Sequence, residues 1–547
     1  MTTEVSRGRV RLTAPPGAAR AESGGPRASR STPWQLYLAL ALGSVLLGSL
    51  SVLYPSTPSY DPWGWLLWGR EILHLDLDTI GANSFKPLPV LFTFPFALFG
   101  KAQPDLWLAV ARSGAIFALA MAFKLAARLT IWFGAGPRDR TGLARVAAYG
   151  PALLAGGIAV LSIVISPEFI RDAALGYSEC LGAGMVLLAI DRHLEDKPRQ
   201  TFMIGFIPAL DRPEIWAFWG LYGLYLWRRD PGARKLIVGL FAAIPCLWFL
   251  PELWGSGHLF RGVTRALHPR HSAATFAKCP FCTEMNAATQ FSPTRVEIVT
   301  ALMAVGAAIA IWRALRRRTS ALGASLRELA HRPEGIVLAL AVIAVAWFVE
   351  ISAMTQYGFS GNDRYLIIGG ALVVVVGGVG WGLVAWKLGE LLVRSVGRAA
   401  GAGGASGAAG AAALFVVTGV FLFTPTWVAA KFSPHKLNHA LRYQAELRED
   451  LSAVIQNAGG AKKVLACGTV ETDNFEVPMV AWYLGVAADD IHDQLKSSIA
   501  NEGALRHPNV ILQARDTGTA PLLPKVPKSE RYTEIRQRTF RLFEHCK

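Results

Sequence analysis

The chain has 547 residues, 52% of them hydrophobic and only 17% charged, with a formal charge of +16. A soluble protein carries about a quarter of its residues as charged side chains, so this composition excludes an ordinary soluble globular chain. The cationic excess does not point to nucleic acid, because no basic–aromatic recognition module is present; in a membrane protein, surplus Lys and Arg marks the cytoplasmic loops.

Residues 1–33 are rich in Gly, Pro, Ser and Ala and carry Arg7, Arg9, Arg11, Arg20, Arg27 and Arg30. Such a segment cannot bury a core and is expected to be a disordered, basic, cytoplasmic tail. The apolar run after it has no clear cleavage site and reads as a retained anchor. Apolar stretches then recur up to Val428, the pattern of helices in lipid. About eleven spans are expected, near 34–54, 107–133, 147–166, 173–190, 200–211, 213–227, 236–253, 293–312, 335–352, 365–386 and 409–428. The fifth and sixth are short and read as a hairpin broken at Asp211-Arg212-Pro213-Glu214, a feature tolerated where backbone lines a polar cavity.

Pro87–Gly100 is apolar but too short to cross, and it contains Pro87, Pro89 and Pro95. It is expected to be interfacial or re-entrant. With that choice the inner segments hold more than twice the Lys and Arg of the outer loops. The opposite choice puts Arg313, Arg316, Arg317 and Arg318 outside, against the positive-inside tendency. The outer face then receives 55–106, 167–178, 211–214, 254–292 and 353–364. The inner loop 387–408 contains a Gly/Ala run that reads as a flexible linker.

Residues 431–547 change character. A helix is expected over His435–Asn457, strands over Lys462–Cys467 and Val510–Gln513, and a helix near Val477–Leu484. The organisation expected is a tail (1–33), a membrane domain (34–430) and a small extracytoplasmic α/β domain (431–547). Cys467 and Cys546 are either bridged there or two separate thiols. Cys279 and Cys282 form a CPFC loop without a surrounding thioredoxin-like pattern, so a local disulfide is expected rather than a redox dithiol.

Several short polar motifs fall on the outer side. Asp61, in Ser59-Tyr60-Asp61-Pro62-Trp63, suits either a helix cap or a base that takes a proton from an acceptor hydroxyl. The helix after it places Trp65, Trp68 and Ile72 on one face, suited to the membrane interface. Lys86, in Ser84-Phe85-Lys86-Pro87-Leu88-Pro89, suits either a snorkelling lysine or a cation for a lipid-linked phosphate. Arg171 and Asp172 precede Tyr177-Ser178-Glu179. Arg212 and Glu214 either staple the broken hairpin or serve a site, since charge inside the membrane defaults to function. Arg364, in Asn362-Asp363-Arg364-Tyr365, offers a guanidinium fork to a phosphate, beside the alternative of a cap by Asn362 or Asp363.

The order of these elements resembles the GT-C superfamily of polytopic glycosyltransferases, including protein O-mannosyltransferase-like and aminoarabinose-transferase-like enzymes, over about residues 34–428. The resemblance implies an inverting enzyme with a polyprenyl-phosphate sugar donor and an envelope acceptor. It puts the general base on Asp61 and the donor phosphate on Lys86, Arg112 and Arg364, and the charge that builds on a departing phosphate adds Arg212 to that set. Arg171, Asp172, Glu179, Glu214 and Tyr365 take supporting places. Two departures stand out: Pro62 occupies the place of a frequent second acidic residue, and Leu88 that of a second proline. No particular cofactor is identified; a divalent metal is compatible with the superfamily, but His258, His268 and His271 suit a solvated loop better than a ligand set. The rival readings are a lipid or polysaccharide transporter or flippase, which internal repeats would support, and a non-catalytic assembly scaffold. A multi-pass inner-membrane location is expected, with the N-terminus cytoplasmic and the C-terminal domain outside.

Overall fold

The computed structural model describes residues 32–133, 149–269, 273–289, 291, 294–316, 332–400, 433–493, 508–515, 517–527 and 531–546. The chain is a mostly helical, multi-pass membrane protein with a small C-terminal sheet. Among the described residues, five helices are long and apolar enough to cross a membrane, or six if the pair bent by 69° at Ile165–Pro167 is one span. The expected tail and the eleventh span near 409–428 lie outside the described residues. Three further expected spans are helices of 16, 12 and 15 residues, Glu179–Leu194, Pro198–Ala209 and Ile215–Arg229, too short for a crossing of about 20 residues.

Helix α1 (Trp34–Ser51) is apolar on every side, and only Ser44 and Gly48 are buried. Leu42, Val45, Leu46 and Leu47 face outward, as expected of a helix whose solvent is lipid. Its contact with α4 (Gln103–Trp132) runs through Gly48, where a Cβ would sit 2.7 Å from the Ser113 nitrogen and 2.9 Å from the Ala109 oxygen. Small residues of this kind let two membrane helices approach closely. Helix α4 also packs on α5 (Gly150–Val164) and α7 (Glu179–Leu194), with α6 (Pro167–Ala174) between the last two in sequence.

Before α4 come α2 (Tyr60–Leu73) and α3 (Pro87–Phe96). Ten residues span about 15 Å, half a bilayer core. A 3-10 turn over Ala97–Ala102 follows, with Gly100 at φ 53°, and separates α3 from α4. Helices α8 (Pro198–Ala209) and α9 (Ile215–Arg229) are divided at residues 210–214. The carbonyl of Ala209, orphaned by that break, accepts from the indoles of Trp216 (2.8 Å) and Trp248 (3.2 Å), which satisfies it where water is scarce. Then follow α10 (Arg234–Ser256), α11 (Arg261–Ala266), α12 (Pro280–Thr289), α13 (Thr294–Arg316), α14 (Pro333–Gln356) and α15 (Ile367–Ala400). Helix α15 packs along α5 and α14.

The C-terminal part holds α16 (Pro434–Asn457), α17 (Ala461–Cys467), α18 (Val477–Leu484) and a five-stranded sheet in the order β2-β1-β3-β5-β4. Strands β1 (Val470–Thr472), β2 (Ile491–Asp493) and β3 (Val510–Gln513) are parallel. Strands β4 (Thr533–Arg536) and β5 (Arg541–Glu544) add antiparallel pairing. The strand expected over Lys462–Cys467 is instead the helix α17. Gly459 and Gly460 (φ 95° and 90°) and Gly468 (φ 131°) bracket it, and Ala, Lys and Leu between them favour a helix. A short apolar run does not distinguish the two by periodicity. Disulfides join Cys467 to Cys546 and Cys279 to Cys282.

Helix α2 does not lie in the membrane interface as its Trp face suggested. Trp65, Trp68, Leu66 and Leu67 are all fully buried, because protein packs on both sides of the helix and withdraws its apolar surface from solvent. One side meets α3; the other meets α18, with Trp63 5.4 Å from Trp482. Arg70 donates to the carbonyls of Trp482 (3.1 Å) and Val486 (2.7 Å), Trp482 donates to Gln103 (2.8 Å), and Arg448 pairs with Asp105 (2.7 Å). Helix α2, the segment after it and the sheet therefore share one core.

Gly81 sits on the backbone of Ala488–Asp489, where a Cβ would come 2.6 Å from the Asp489 Cα. The variant Gly81→Val is expected to loosen this seam by about 1–3 kcal/mol, the usual cost of overpacking. Limited proteolysis should release a fragment beginning near α16 faster than from the parent.

Candidate active site

Backbone contacts bring remote segments together. The amide of Ser59, which precedes α2, donates to Leu175 O (3.0 Å) at the end of α6, and the Leu88 amide donates to Leu210 O (3.0 Å) at the helix break. Tyr177 donates to the Ser59 hydroxyl (3.1 Å). The loop 357–362 ahead of α15 is tied by Asn362 Nδ2, which donates to Ser360 and to the Tyr365 hydroxyl, each at 3.1 Å. These four segments carry Asp61, Lys86, Arg212 and Arg364.

Helix α2 starts at Tyr60 with Ser59 at its cap, so Asp61 lies inside the first turn and is not the cap. Its Oδ2 accepts from Arg364 Nη2 at 2.5 Å. Glu179, the first residue of α7 and 1% exposed, is the centre of the cluster. Its Oε1 lies 3.1 Å from Lys86 Nζ, 3.3 Å from Arg212 Nη1 and 3.4 Å from Arg364 Nε. Lys86 Nζ also lies 3.7 Å from Asp211 Oδ1, which accepts from Ser178 Oγ at 2.6 Å. Arg212 makes a fork with Glu214 through contacts of 3.1 and 2.5 Å. Aromatic faces complete the shell: Arg212 stacks 3.7 Å from Tyr365, Arg364 lies 4.4 Å from Tyr177, and Lys86 5.2 Å from Trp65. Buried charges persist only when paired in this way.

The cluster forms one end of a cavity of about 370 Å³, lined by Asp61, Lys86, Arg212, Glu214 and Arg364. Most of its remaining surface is apolar, supplied by Trp216, Trp248, Phe249, Val263, Ile351 and Met354, with Glu252 and Arg265 also on the lining. Leu259 and Phe260, both exposed, stand at its edge. A charged end and a greasy body suit a ligand with a phosphate head and a hydrocarbon tail.

Not every expected residue joins this site. Arg112 does not line the cavity; its guanidinium donates to the carbonyls of Ser51 (2.9 Å) and Ala174 (2.7 Å) and braces α1 against α6. Arg171 pairs with Glu168 and, at 3.3 Å, with Asp172, and both Arg171 and Asp172 face a second cavity instead. Glu179 and Glu214 sit among the cations, and Tyr365 stacks on Arg212. His258 and His268 do not line the cavity and His271 lies outside the described residues. Among the described residues no group of three or more His, Cys, Asp or Glu is arranged to hold a metal ion. Sequence reasoning passed over Asp211 as a partner of Lys86; its position in an apolar hairpin was the available signal. The tryptophan and phenylalanine walls carried no such signal, since aromatic residues in apolar helices are ordinary.

No protein-family model matches the chain, and no curated protein matches it significantly. Among solved structures, the chain is similar to ArnT from Cupriavidus metallidurans bound to undecaprenyl phosphate, at 12% identity over 93% of this chain and 98% of that one, with a TM-score of 0.44. It is also similar to the same protein in the apo state, at 13% identity over 94% and 98%, with a TM-score of 0.45.

Beneath the Arg364 loop, Glu284 of α12 is buried; a Cβ on Gly361 would come 2.9 Å from its Oε2, and its Oε1 has no hydrogen-bond partner. Burial, reinforced by Asp363, pushes its carboxyl up to about 7. A raised acid is neutral in the folded state at low pH, and ionising it there costs stability. Thermal stability is therefore expected to fall as pH rises from about 4.5 to about 7. Melting curves of Glu284→Gln should show a shallower fall over that window than the parent.

Proposed function

We propose that the protein is a membrane glycosyltransferase that moves a sugar from a polyprenyl-phosphate donor to an acceptor on the outer face of the membrane. The observation that carries this reading is the convergence of Asp61, Lys86, Arg212 and Arg364, from four separate segments, on one cavity whose remaining surface is mostly apolar. In this reading the polyprenyl chain lies among Trp248, Phe249 and Phe260, and the phosphate reaches Lys86, Arg212 and Arg364. The topology proposed with it has the N-terminus and tail (1–33) in the cytoplasm, the membrane domain (34–430) between, and 431–547 outside.

The chemistry follows from where charge develops. The acceptor oxygen attacks the anomeric carbon while the bond from that carbon to the phosphate oxygen breaks. The electron pair leaves with the polyprenyl phosphate, which gains negative charge. Preorganised cations next to the departing oxygen lower that barrier, and arginine forks match phosphate geometry. The acceptor proton passes to Asp61, and a single displacement inverts the anomeric centre. Arg364 has two duties here. Without donor it is paired with Asp61; a phosphate competes for the same guanidinium and frees the carboxylate to act as base. Pro62, in place of a second acid, leaves Asp61 as the sole carboxylate proposed for that role.

Asp61→Asn is expected to lower transfer by about 10²–10⁴-fold, the usual contribution of a general base, while donor affinity is retained. Full activity in that variant removes Asp61 from the mechanism. Lys86→Ala and Arg364→Ala are expected to raise the donor KM at least about tenfold, since each removes a buried cation proposed to meet the phosphate. A labelled polyprenyl-phosphate sugar in reconstituted membranes measures both effects, and an unchanged donor KM in both variants contradicts the phosphate assignment.

A further inference from the structure

A second, larger cavity of about 1260 Å³ lies between the start of α2, the end of α6, the loop 361–364 and the C-terminal part. It shares Tyr60, Gly361, Asn362 and Arg364 with the first cavity, so these residues form a common wall. Lys86, Arg212 and Glu214 line only the first. In a single displacement the incoming oxygen approaches the anomeric carbon from the side opposite the leaving phosphate. With the phosphate on Lys86 and Arg212, the second cavity offers the acceptor a path past Arg364 to Asp61, which lines the first.

The lining of this cavity indicates what it takes. Its volume exceeds the roughly 300–1,000 Å³ of sites for a drug-sized molecule. Helix α16 contributes the exposed side chains of His435, Lys436 and His439, and Thr517 and Thr519 add hydroxyls. Phe475 is 37% exposed and packs 5.6 Å from Tyr60, making an aromatic ledge beside the shared wall. Aromatic faces carry negative charge density and suit the weakly positive C–H face of a sugar ring. Polar groups beside such a ledge satisfy hydroxyls.

We infer that the acceptor is the end of a glycan chain several sugars long, seated in this second cavity between α2 and α16 with its terminal hydroxyl directed past Arg364 to Asp61. The inference rests on the glycosyltransferase reading and adds the acceptor class. Its reaction is the one written above: a new bond from the glycan oxygen to the donor's anomeric carbon, the proton to Asp61, and polyprenyl phosphate as the leaving group.

The test uses the full chain in lipid nanodiscs, with arabinan and mannan fragments from monosaccharide to octasaccharide as probes and ligand-observed NMR as the readout. Fragments of at least one of the two glycans are expected to bind, with affinity rising over several units. Phe475→Leu should weaken binding about tenfold, the loss of one aromatic contact, and Phe475→Trp should restore it. Undecaprenyl phosphate binding should be unchanged in both variants, which also reports an intact fold. No binding by any fragment, no gain beyond the monosaccharide, or no effect of Phe475→Leu overturns the inference. So does binding of undecaprenol in place of the glycans. The two readings separate cleanly: if undecaprenyl phosphate binds and no glycan does, only the acceptor assignment falls; if undecaprenyl phosphate does not bind, the transferase reading falls as well.

Discussion

The carboxylate of Glu179 holds the proposed donor site together. Lys86, Arg212 and Arg364 come from α3's entrance, the α8–α9 break and the entrance to α15, and all three approach the same oxygen within 3.4 Å. Three cations placed in so dry a region without that anion would repel one another and carry a large desolvation cost. Asp211, Glu214 and Asp61 balance the rest. The cluster is consequently preassembled, and a phosphate arriving in the cavity meets cations already in position. Catalysis gains from charges that need no rearrangement at the moment of reaction.

That cluster depends on the break in the backbone between α8 and α9. Arg212 and Glu214 occupy a gap between two short helices whose loose carbonyl is taken up by Trp216 and Trp248. Those same tryptophans are walls of the cavity. One device thus satisfies an orphan group, opens the helix for a charged side chain and supplies apolar surface for a hydrocarbon chain. On the other flank, α2 is clamped between the membrane helices and the C-terminal sheet. Its docking fixes Asp61 and also lets α16 and Phe475 border the second cavity. The C-terminal part is therefore joined to the site through α2.

Much of this was legible in the residues alone, and the reasons differ by element. Membrane helices announce themselves through sustained apolar length, and the break at Asp211–Glu214 through charge where charge is costly. The motifs expected on the outer side could be ordered along the chain, so their meeting in one place was a natural expectation. Arg112 looked equivalent to the others because sequence reports proximity to a span, not the direction of a side chain; in the fold it satisfies carbonyls of α1 and α6. The burial of α2 was hidden for a related reason. A Trp-rich amphipathic segment reads the same whether its partner is lipid or protein, and the partner α18 lies about 400 positions away in sequence. Helix α17 was mistaken for a strand because seven residues are too few for a period to show.

The central claim is that a phosphate head and a hydrocarbon tail occupy one cavity, head at Lys86 and tail along α10 and α11. Photo-crosslinking with a diazirine-bearing polyprenyl phosphate, mapped by mass spectrometry, measures this most directly. The account predicts adducts concentrated between Trp248 and Val263 and on Ile351 to Met354, and competed away by unlabelled polyprenyl phosphate. Adducts spread over the lipid-facing surface of α1 and α4, or unaffected by competitor, would contradict it.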